Sequence, residues 1–187
     1  DVYKRQDLSA ELGFHKSTTH RLVTSLQYMG YIRQDEESLK YALSLKFLEI
    51  GSKILEQTNM ASLIHPSLKK LSEQTGETVH LVRREGTEAV YIDKVESTVS
   101  SIRMVSRVGS RIPLYCSGVG KALLAELPDP EIEDIWNSSE ITSLTPYTVT
   151  SLSDLMDRIR GVREAGYAMD DEENEEGVRC IAVSIPD

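Results

Sequence analysis

Two glycines, Gly13 and Gly30, bracket a stretch that reads as one helix, and the first part of the chain has to be arranged around it. Upstream, "DLSAELG" (residues 7–13) reads as a short helix that stops at Gly13, with Leu8 and Leu12 on one face. Gly13 suits the left-handed position that follows a helix C-terminus. After a short turn, a second helix runs from about Lys16 to Met29, and Gly30 ends it. At about 100° per residue, Leu22, Leu26 and Met29 share one side, with Thr19 and Val23 at its edge. Ser17, His20, Arg21, Thr24 and Tyr28 fall on the opposite face. A helix that only packs in a core needs a cap. It has no need of Ser17, Thr18, Thr19, His20 and Arg21 in a row.

Beyond Gly30, Tyr31–Gln34 and Leu39–Leu43 read as two short strands around a polar turn. Helix, turn, helix and β-hairpin is the order of a winged helix-turn-helix, whose second helix enters the DNA major groove by its N-terminal, solvent-facing part. The candidate DNA contacts are Lys16, Ser17, Thr18, His20, Arg21 and Thr24. Arginine can bond guanine edges, and hydroxyls can bond phosphates or bases. The alternative is an ordinary helical hairpin with Ser17 or its neighbour as N-cap. Charge distinguishes the two parts of the chain. Residues 1–34 hold five Lys/Arg against three Asp/Glu, while the rest hold 16 against 27. A mildly basic head on an acidic body fits a small nucleic-acid reader fused to something else. The net charge of −9 excludes a protein that is basic all over and coats nucleic acid.

Residues 44–58 form a further helix with Leu43, Phe47, Ile50 and Ile54 as its apolar stripe. Such a helix can connect and dimerise; the alternative is that it packs only within its own chain. A boundary falls at about residues 57–61. "IHPSLKKLSEQTG" then reads as an amphipathic helix with Pro66 near its start and Gly76 at its end. Three strand-like runs follow, at 77–86, 87–97 and 100–110, the first two joined by a hairpin at Glu85-Gly86-Thr87. "SGVGKALLAEL" is a helix opening on glycines. Pro128–Asn137 is a short acidic helix carrying Trp136, and Leu152–Ala165 is a helix stopped by Gly166. Strand, acidic loop and strand complete the chain. This is an α+β domain with helices to one side or end of its sheet. Both ends read as cut: an apolar strand precedes Pro186-Asp187 with nothing to cover it, and no helix precedes Asp7. "DVYKRQ" fits no element. Two cysteines are too few for a secreted disulfide framework, so Cys116 and Cys180 are expected as reduced thiols of a cytoplasmic protein, although a bridge between them is possible. Neither a membrane-length apolar run nor a signal peptide is recognisable.

Five stretches, in this order, carry a resemblance: "DLSAELGFHKSTTHRLVTSLQYMGYI", "GETVHL", "VYIDKVES", "IRMVSRVGSRIPLYCSGVGKALLA" and "GYAMDDEENEEGVRCIAVSI". From about Asp7 to Ile185 the chain resembles the IclR family of bacterial transcription regulators, of which Lys-Ser-Thr with a following Arg-Leu is a hallmark. The resemblance implies a winged helix-turn-helix DNA-binding domain at residues 1–43 lacking its first helix. It also implies a linker and dimerisation helix at 44–60, and a GAF-like effector-binding domain at 61–187 lacking its C-terminal part. It implies no enzyme and no cofactor. The partners are a double-stranded operator DNA, a small organic-acid effector and further copies in a homodimer or homotetramer, with no membrane. The body motifs look most like regulators of sugar-acid catabolism, such as repressors sensing 2-keto-3-deoxygluconate. By motif matching, Gly118 and Val119 correspond to backbone donors of the effector pocket, Met104, Ile112 and Val178 to its apolar wall, and Asp170 and Cys180 to ligand-facing positions.

The residues themselves suit a carboxylate ligand. Ser117–Gly120 should lead from a strand into a helix whose free N–H groups and dipole favour an anion, and Gly118 would let the ligand approach the backbone. The alternative is a helix start that uses glycine for packing. This is not a phosphate-binding Walker loop, because Tyr115 stands where glycine is required and Ala122 follows Lys121. An Asp170 carboxylate facing an acid would repel it, so Asp170 is expected to take a ligand hydroxyl or a water. Cys180 could equally be a small buried hydrophobe. "DDEENEEG" (170–177) lacks EF-hand spacing, with Gly177 at position eight of the run, and reads as a solvated loop with no metal. His15, His20, His65 and His80 have no partner at metal-ligand spacing. Two competing classes remain: an enzyme of small acids using Cys180 or His80, for which no nucleophile–base context is recognisable, and a ligand-free module that dimerises through residues 44–58.

Overall fold

The computed structural model describes residues 2–57, 60–99 and 106–185, with side chains placed outside 55–62. The chain divides into two compact units, Asp1–Asn59 and Met60–Asp187.

The first unit holds α1 (Arg5–Glu11), α2 (Lys16–Tyr28), β1 (Ile32–Gln34), β2 (Tyr41–Leu43) and α3 (Lys46–Gln57). Gly13 and Gly30 both take positive φ, 63° and 76°, the backbone that lets each helix end in a sharp turn. The opening hexapeptide, left unassigned from sequence, does have a place. Tyr3 pairs with Tyr41 through two backbone hydrogen bonds of 3.2 and 2.8 Å. Lys4 then caps α1, its N–H donating to the Asp7 carboxylate at 2.8 Å. The apolar stripe of α2 differs from expectation. Thr19 and Val23, at its edge, are the buried residues, whereas Leu22, Leu26 and Met29 are 46%, 38% and 47% exposed. The seven-residue α1 buries no side chain of its own and is too short to cover so wide a face.

The junction to α3 is built on side-chain contacts. Ser44 Oγ accepts from the Lys46 N–H at 3.2 Å, so the helix starts two residues later than its apolar pattern suggests. Lys46 Nζ lies 4.5 Å from the centroid of the Tyr31 ring and donates to the Met29 carbonyl at 2.7 Å, at the end of α2. Phe47 packs tilted against the same ring at 5.5 Å. Leu48 and Ile54 of α3 remain well exposed.

The second unit opens with α4 (Met60–Thr75), and Pro66 sits inside that helix rather than near its start. A proline there removes one backbone hydrogen bond. β3 (Val79–Glu85), β4 (Glu88–Val95) and β5 (Arg111–Pro113) form an antiparallel sheet in the order β3-β4-β5. Gly86, φ 65°, is the first of two loop residues, where a tight hairpin demands positive φ. The strand expected at 100–110 is tested only in its last five residues. Residues 100–105 lie outside the described residues, and 106–110 turn through Ser110 N–H to the Arg107 carbonyl (2.9 Å) before β5 begins. α5 (Gly118–Ala125), α6 (Asp129–Ser138) and α7 (Leu152–Ala165) follow, then the hairpin β6 (Ala168–Asp171) and β7 (Arg179–Ala182).

The core of this unit joins Ala89, Leu114, Cys116, Leu124, Ile132, Leu155 and Ile159, with Trp136 edge-on to Tyr115 at 6.0 Å. On the other side of α5, Ala122, Ala168 and Ala182 make a second buried cluster. Small residues let β6–β7 lie close on α5, which is thereby held between the hairpin and the segment around Leu114. Among the described residues no helix is long and apolar enough to cross a membrane.

Candidate functional sites

In the first unit the site is the start of α2. Its N-cap is His15, which makes no side-chain cap hydrogen bond, so the Ser17 and Thr18 hydroxyls are not spent on capping. Lys16, Ser17, Thr18, His20, Arg21 and Thr24 are all exposed. Among the described residues only His20 of these has a side-chain partner, Arg5 Nη1 at 3.2 Å from its Nδ1. Sequence reasoning missed Arg5, which α1 brings beside the cluster. The first turn carries no acidic residue, and the unsatisfied N–H groups there add partial positive charge. Cationic side chains, free hydroxyls and a helix N-terminus on one exposed surface suit a polyanion.

In the second unit the site is a cavity of about 270 Å³ between the sheet, the start of α5 and the β6–β7 hairpin. Ile112, Gly118, Val119, Asp170, Val178 and Cys180 all line it, while Met104 lies outside the described residues. His80, Tyr91, Ser106, Asn174 and Glu175 line it as well. Of these, only His80 had been singled out, and for a different role.

Ser117 caps α5, its Oγ accepting from the Gly120 N–H at 3.1 Å and donating to the Pro113 carbonyl at 2.6 Å. Gly118 follows, lining the cavity and packed closely under the hairpin. A Cβ there would stand 3.3 Å from Cys180 Sγ and 3.4 Å from Asp170 Cβ and N. The glycine lets the hairpin close against α5, and its φ is not positive, so the penalty on a side chain comes from crowding alone. Asp170 is also partly committed. Its Oδ1 accepts from the N–H groups of Glu173 (2.8 Å) and Asn174 (3.4 Å), ordering the acidic loop. Burial raises its pKa above the usual carboxylate value.

The thiols are poorly suited to nucleophilic work. Burial pushes Cys180 up to about 11 and Cys116 up to about 12. Both are free thiols. His80 is pushed down to about 4 by burial and by the charge of Lys94, so it would be a weak base.

The solvated reading of the acidic loop needs correction. Glu173 and Lys121 are each 1% exposed and form a buried ion pair. Arg158 Nη1 stands 3.6 Å from the same carboxylate oxygen, and Glu173 Oε2 has no hydrogen-bond partner among the described residues. Thr148 Oγ1 donates to the Glu173 carbonyl at 2.7 Å and Thr145 Oγ1 to the Glu172 carbonyl at 2.7 Å, tying the loop from inside. Among the described residues no group of three His, Cys, Asp or Glu could hold a metal ion.

Two family profiles match the sequence. One, described as the IclR helix-turn-helix domain, covers residues 5–36. The other, described as bacterial transcriptional regulator IclR C-terminal, covers residues 52–187. The chain is 40% identical over 182 residues to the HTH-type transcriptional regulator XynR of Escherichia coli K12, covering 97% of this chain and 72% of that protein. It is 39% identical over 181 residues to the HTH-type transcriptional regulator KdgR of the same organism, covering 97% and 68%. Among solved structures it is similar to that of the Thermotoga maritima IclR, with a TM-score of 0.74 and 34% identity over 99% of this chain and 74% of that one. The chain spans 59–72% of the length of three curated relatives.

Proposed function

The chain belongs to the IclR family of bacterial transcriptional regulators, and from that premise we propose that it binds operator DNA through the start of α2 and answers to a small organic acid held in the second unit's cavity. The curated relatives compared are transcriptional regulators and not enzymes. The observation that carries the reading is the exposed, uncommitted row of Lys16, Ser17, Thr18, Arg21 and Thr24 on a helix whose cap does not use them. In a winged helix-turn-helix this end lies in the major groove, and the β1–β2 hairpin is the wing. Arg21 reaches a base edge or phosphate, while the hydroxyls fix the register on the backbone. A regulator that works on bacterial DNA acts in the cytoplasm.

The effector is a small keto or sugar acid. Its carboxylate meets the N–H groups of Gly118 and Val119 at the start of α5. Ile112 and Val178 wall its carbon chain, and Asp170 and Cys180 face it. Two copies present two heads to a near-palindromic operator, and the α3 stripe of Phe47, Ile50 and Ile54 supplies part of the contact between copies.

Arg21→Ala tests the DNA reading. On a duplex selected by the protein from a random library, the substitution is expected to weaken binding by about 1–3 kcal/mol if Arg21 reads a base. Band-shift titrations at fixed salt measure this. Unchanged affinity, or failure of the wild type to select any duplex, would remove α2 from the groove.

A further inference from the structure

The cavity assigned to an acid already holds charge of the same sign. We propose that Asp170 takes up a proton as the acid enters and donates a hydrogen bond to the ligand's carboxylate, so that effector and proton bind together. The inference rests on the cavity being the effector site.

The charges buried beside the cavity do not balance. Among the described residues, the buried charge-bearing side chains are Lys121, Asp170 and Glu173, one cation and two carboxylates. The ammonium is taken by Glu173, whose Oε1 also lies 3.6 Å from Arg158 Nη1. Asp170 is 4% exposed, and its partners among the described residues are the Glu173 and Asn174 N–H groups, both on Oδ1. Oδ2 is left without a hydrogen bond, on a residue that lines the cavity. Burial is the largest influence on this carboxyl and raises its pKa. The Glu173 charge adds to that, while the two N–H groups and Lys121 oppose it without cancelling it.

An incoming carboxylate sharpens the imbalance. It meets the start of α5, and the Cβ position of Gly118 there is 3.4 Å from both Cβ and N of Asp170, so ligand and Asp170 crowd one helix end. That end offers about half a unit of positive charge, too little for two anions. Arg111, at the rim, is already paired with Glu85 and Glu88. When two carboxylates share a site, one of them gives up its charge. Small organic acids ionise well below neutral pH, so Asp170 is the one that yields. A proton on Oδ2 replaces repulsion with a charge-assisted hydrogen bond.

The other titratable groups around Asp170 are poor acceptors for this proton. Burial holds Cys180 of β7 at about 11 and Cys116, ahead of α5, at about 12, so both are already protonated. Tyr91 of β4 reaches the cavity face through the register shift between Leu81 and Val82, and burial raises it to about 12. Lys121 keeps Glu173 ionised, Glu175 is exposed, and Asp171 is paired with Arg179. Arg158 of α7 meets the cluster at Glu173. His80 of β3 is the one rival. Burial and the Lys94 charge hold it at about 4, so it would have to gain a proton beside a like charge.

Binding that consumes a proton tightens as pH falls. Where Asp170 is ionised in the free chain and protonated in the complex, Kd weakens about ten-fold per pH unit of rise, and the dependence vanishes below the free-state pKa. Calorimetry on the chain with pyruvate, glyoxylate and gluconate selects the tightest acid. Its heat is then measured at about pH 7 in two buffers of different ionisation enthalpy. Uptake of more than about half a proton per acid bound is expected, with Kd weakening at least about three-fold between about pH 6 and 8. Asp170→Asn keeps the Oδ1 acceptor and carries an N–H in place of the proton. It should bind the acid with no uptake and a flat pH profile. His80→Gln should keep the uptake, whatever its affinity. Circular dichroism checks both folds, and the wild-type proton count decides alone where Asp170→Asn does not fold. Equal heats in the two buffers with a flat wild-type profile would overturn the inference and leave the acid site in place. So would uptake that survives in Asp170→Asn or is lost in His80→Gln. Failure of all three acids to bind would remove the acid site and the inference together.

Discussion

Gly120→Ala is expected to lose at least about 3 kcal/mol of folding stability, enough to leave the second unit largely unfolded at moderate urea. An alanine Cβ at this position would stand 2.2 Å from the Leu114 carbonyl oxygen, 2.3 Å from its Cα and 2.6 Å from its carbonyl carbon. Carbon atoms are comfortable at about 3.5–4.0 Å, and the obstructing atoms are backbone, which cannot rotate aside. Relief requires α5 to move away from the segment that enters it. That motion strains the Ser117 cap, which joins Gly120 N–H to the Pro113 carbonyl through one hydroxyl. It also disturbs the packing of Leu114 and Leu124, both 1% exposed. Gly161, inside α7, has nothing within 4 Å of its Cβ position. Gly161→Ala should therefore be neutral or gain up to about 1 kcal/mol from helix propensity. Urea unfolding of the three proteins side by side measures both effects. Similar midpoints for Gly120→Ala and wild type would mean that α5 does not enter the core as described.

The second large effect concerns Lys121 and Glu173. Lys121→Met is expected to cost about 3–5 kcal/mol, because it strands a carboxylate that is almost wholly buried. Among the described residues Glu173 Oε2 already lacks a hydrogen-bond partner, and Arg158, 3.6 Å from the other oxygen and about half exposed, cannot replace the lost charge. Glu173→Leu strands the ammonium in the same way. The double variant Lys121→Met/Glu173→Leu should recover most of the loss, since a well-packed apolar pair commonly matches a buried ion pair in stability. The cycle is read from denaturant midpoints. Additive losses in the double variant would show that the two side chains act independently.

Both effects fall on residues whose importance lay hidden in the sequence, and the reason is geometric. α7 was legible to the residue, with Leu152–Ala165 between an N-capping Ser151 and Gly166, because periodicity and end signals agree there. The β3–β4 hairpin was legible from Glu85-Gly86-Thr87 for the same local reason. Tyr91 was not. Its direction depends on a register shift between two strands, and no window of one strand contains that information. Gly120 and Lys121 read as part of a glycine-opened helix, but the neighbours that make them critical, Leu114 and Glu173, belong to other elements. The buried Glu173 was hidden by composition, as an acidic run normally marks solvent. Motif matching gathered Ile112, Gly118, Val119, Asp170, Val178 and Cys180, which the fold brings to one cavity, but the close approach of Cys180 and Asp170 to Gly118 depends on the hairpin's position and was not legible.

Regulation requires that acid in the cavity alter the hold on DNA. Fluorescence anisotropy of a selected duplex bound by the chain, titrated with the tightest-binding acid, measures that coupling directly. A saturable change in DNA affinity is expected, about five-fold or more, at acid concentrations that match the calorimetric affinity of the cavity. DNA affinity that stays constant while the cavity fills would contradict a regulator working through this site.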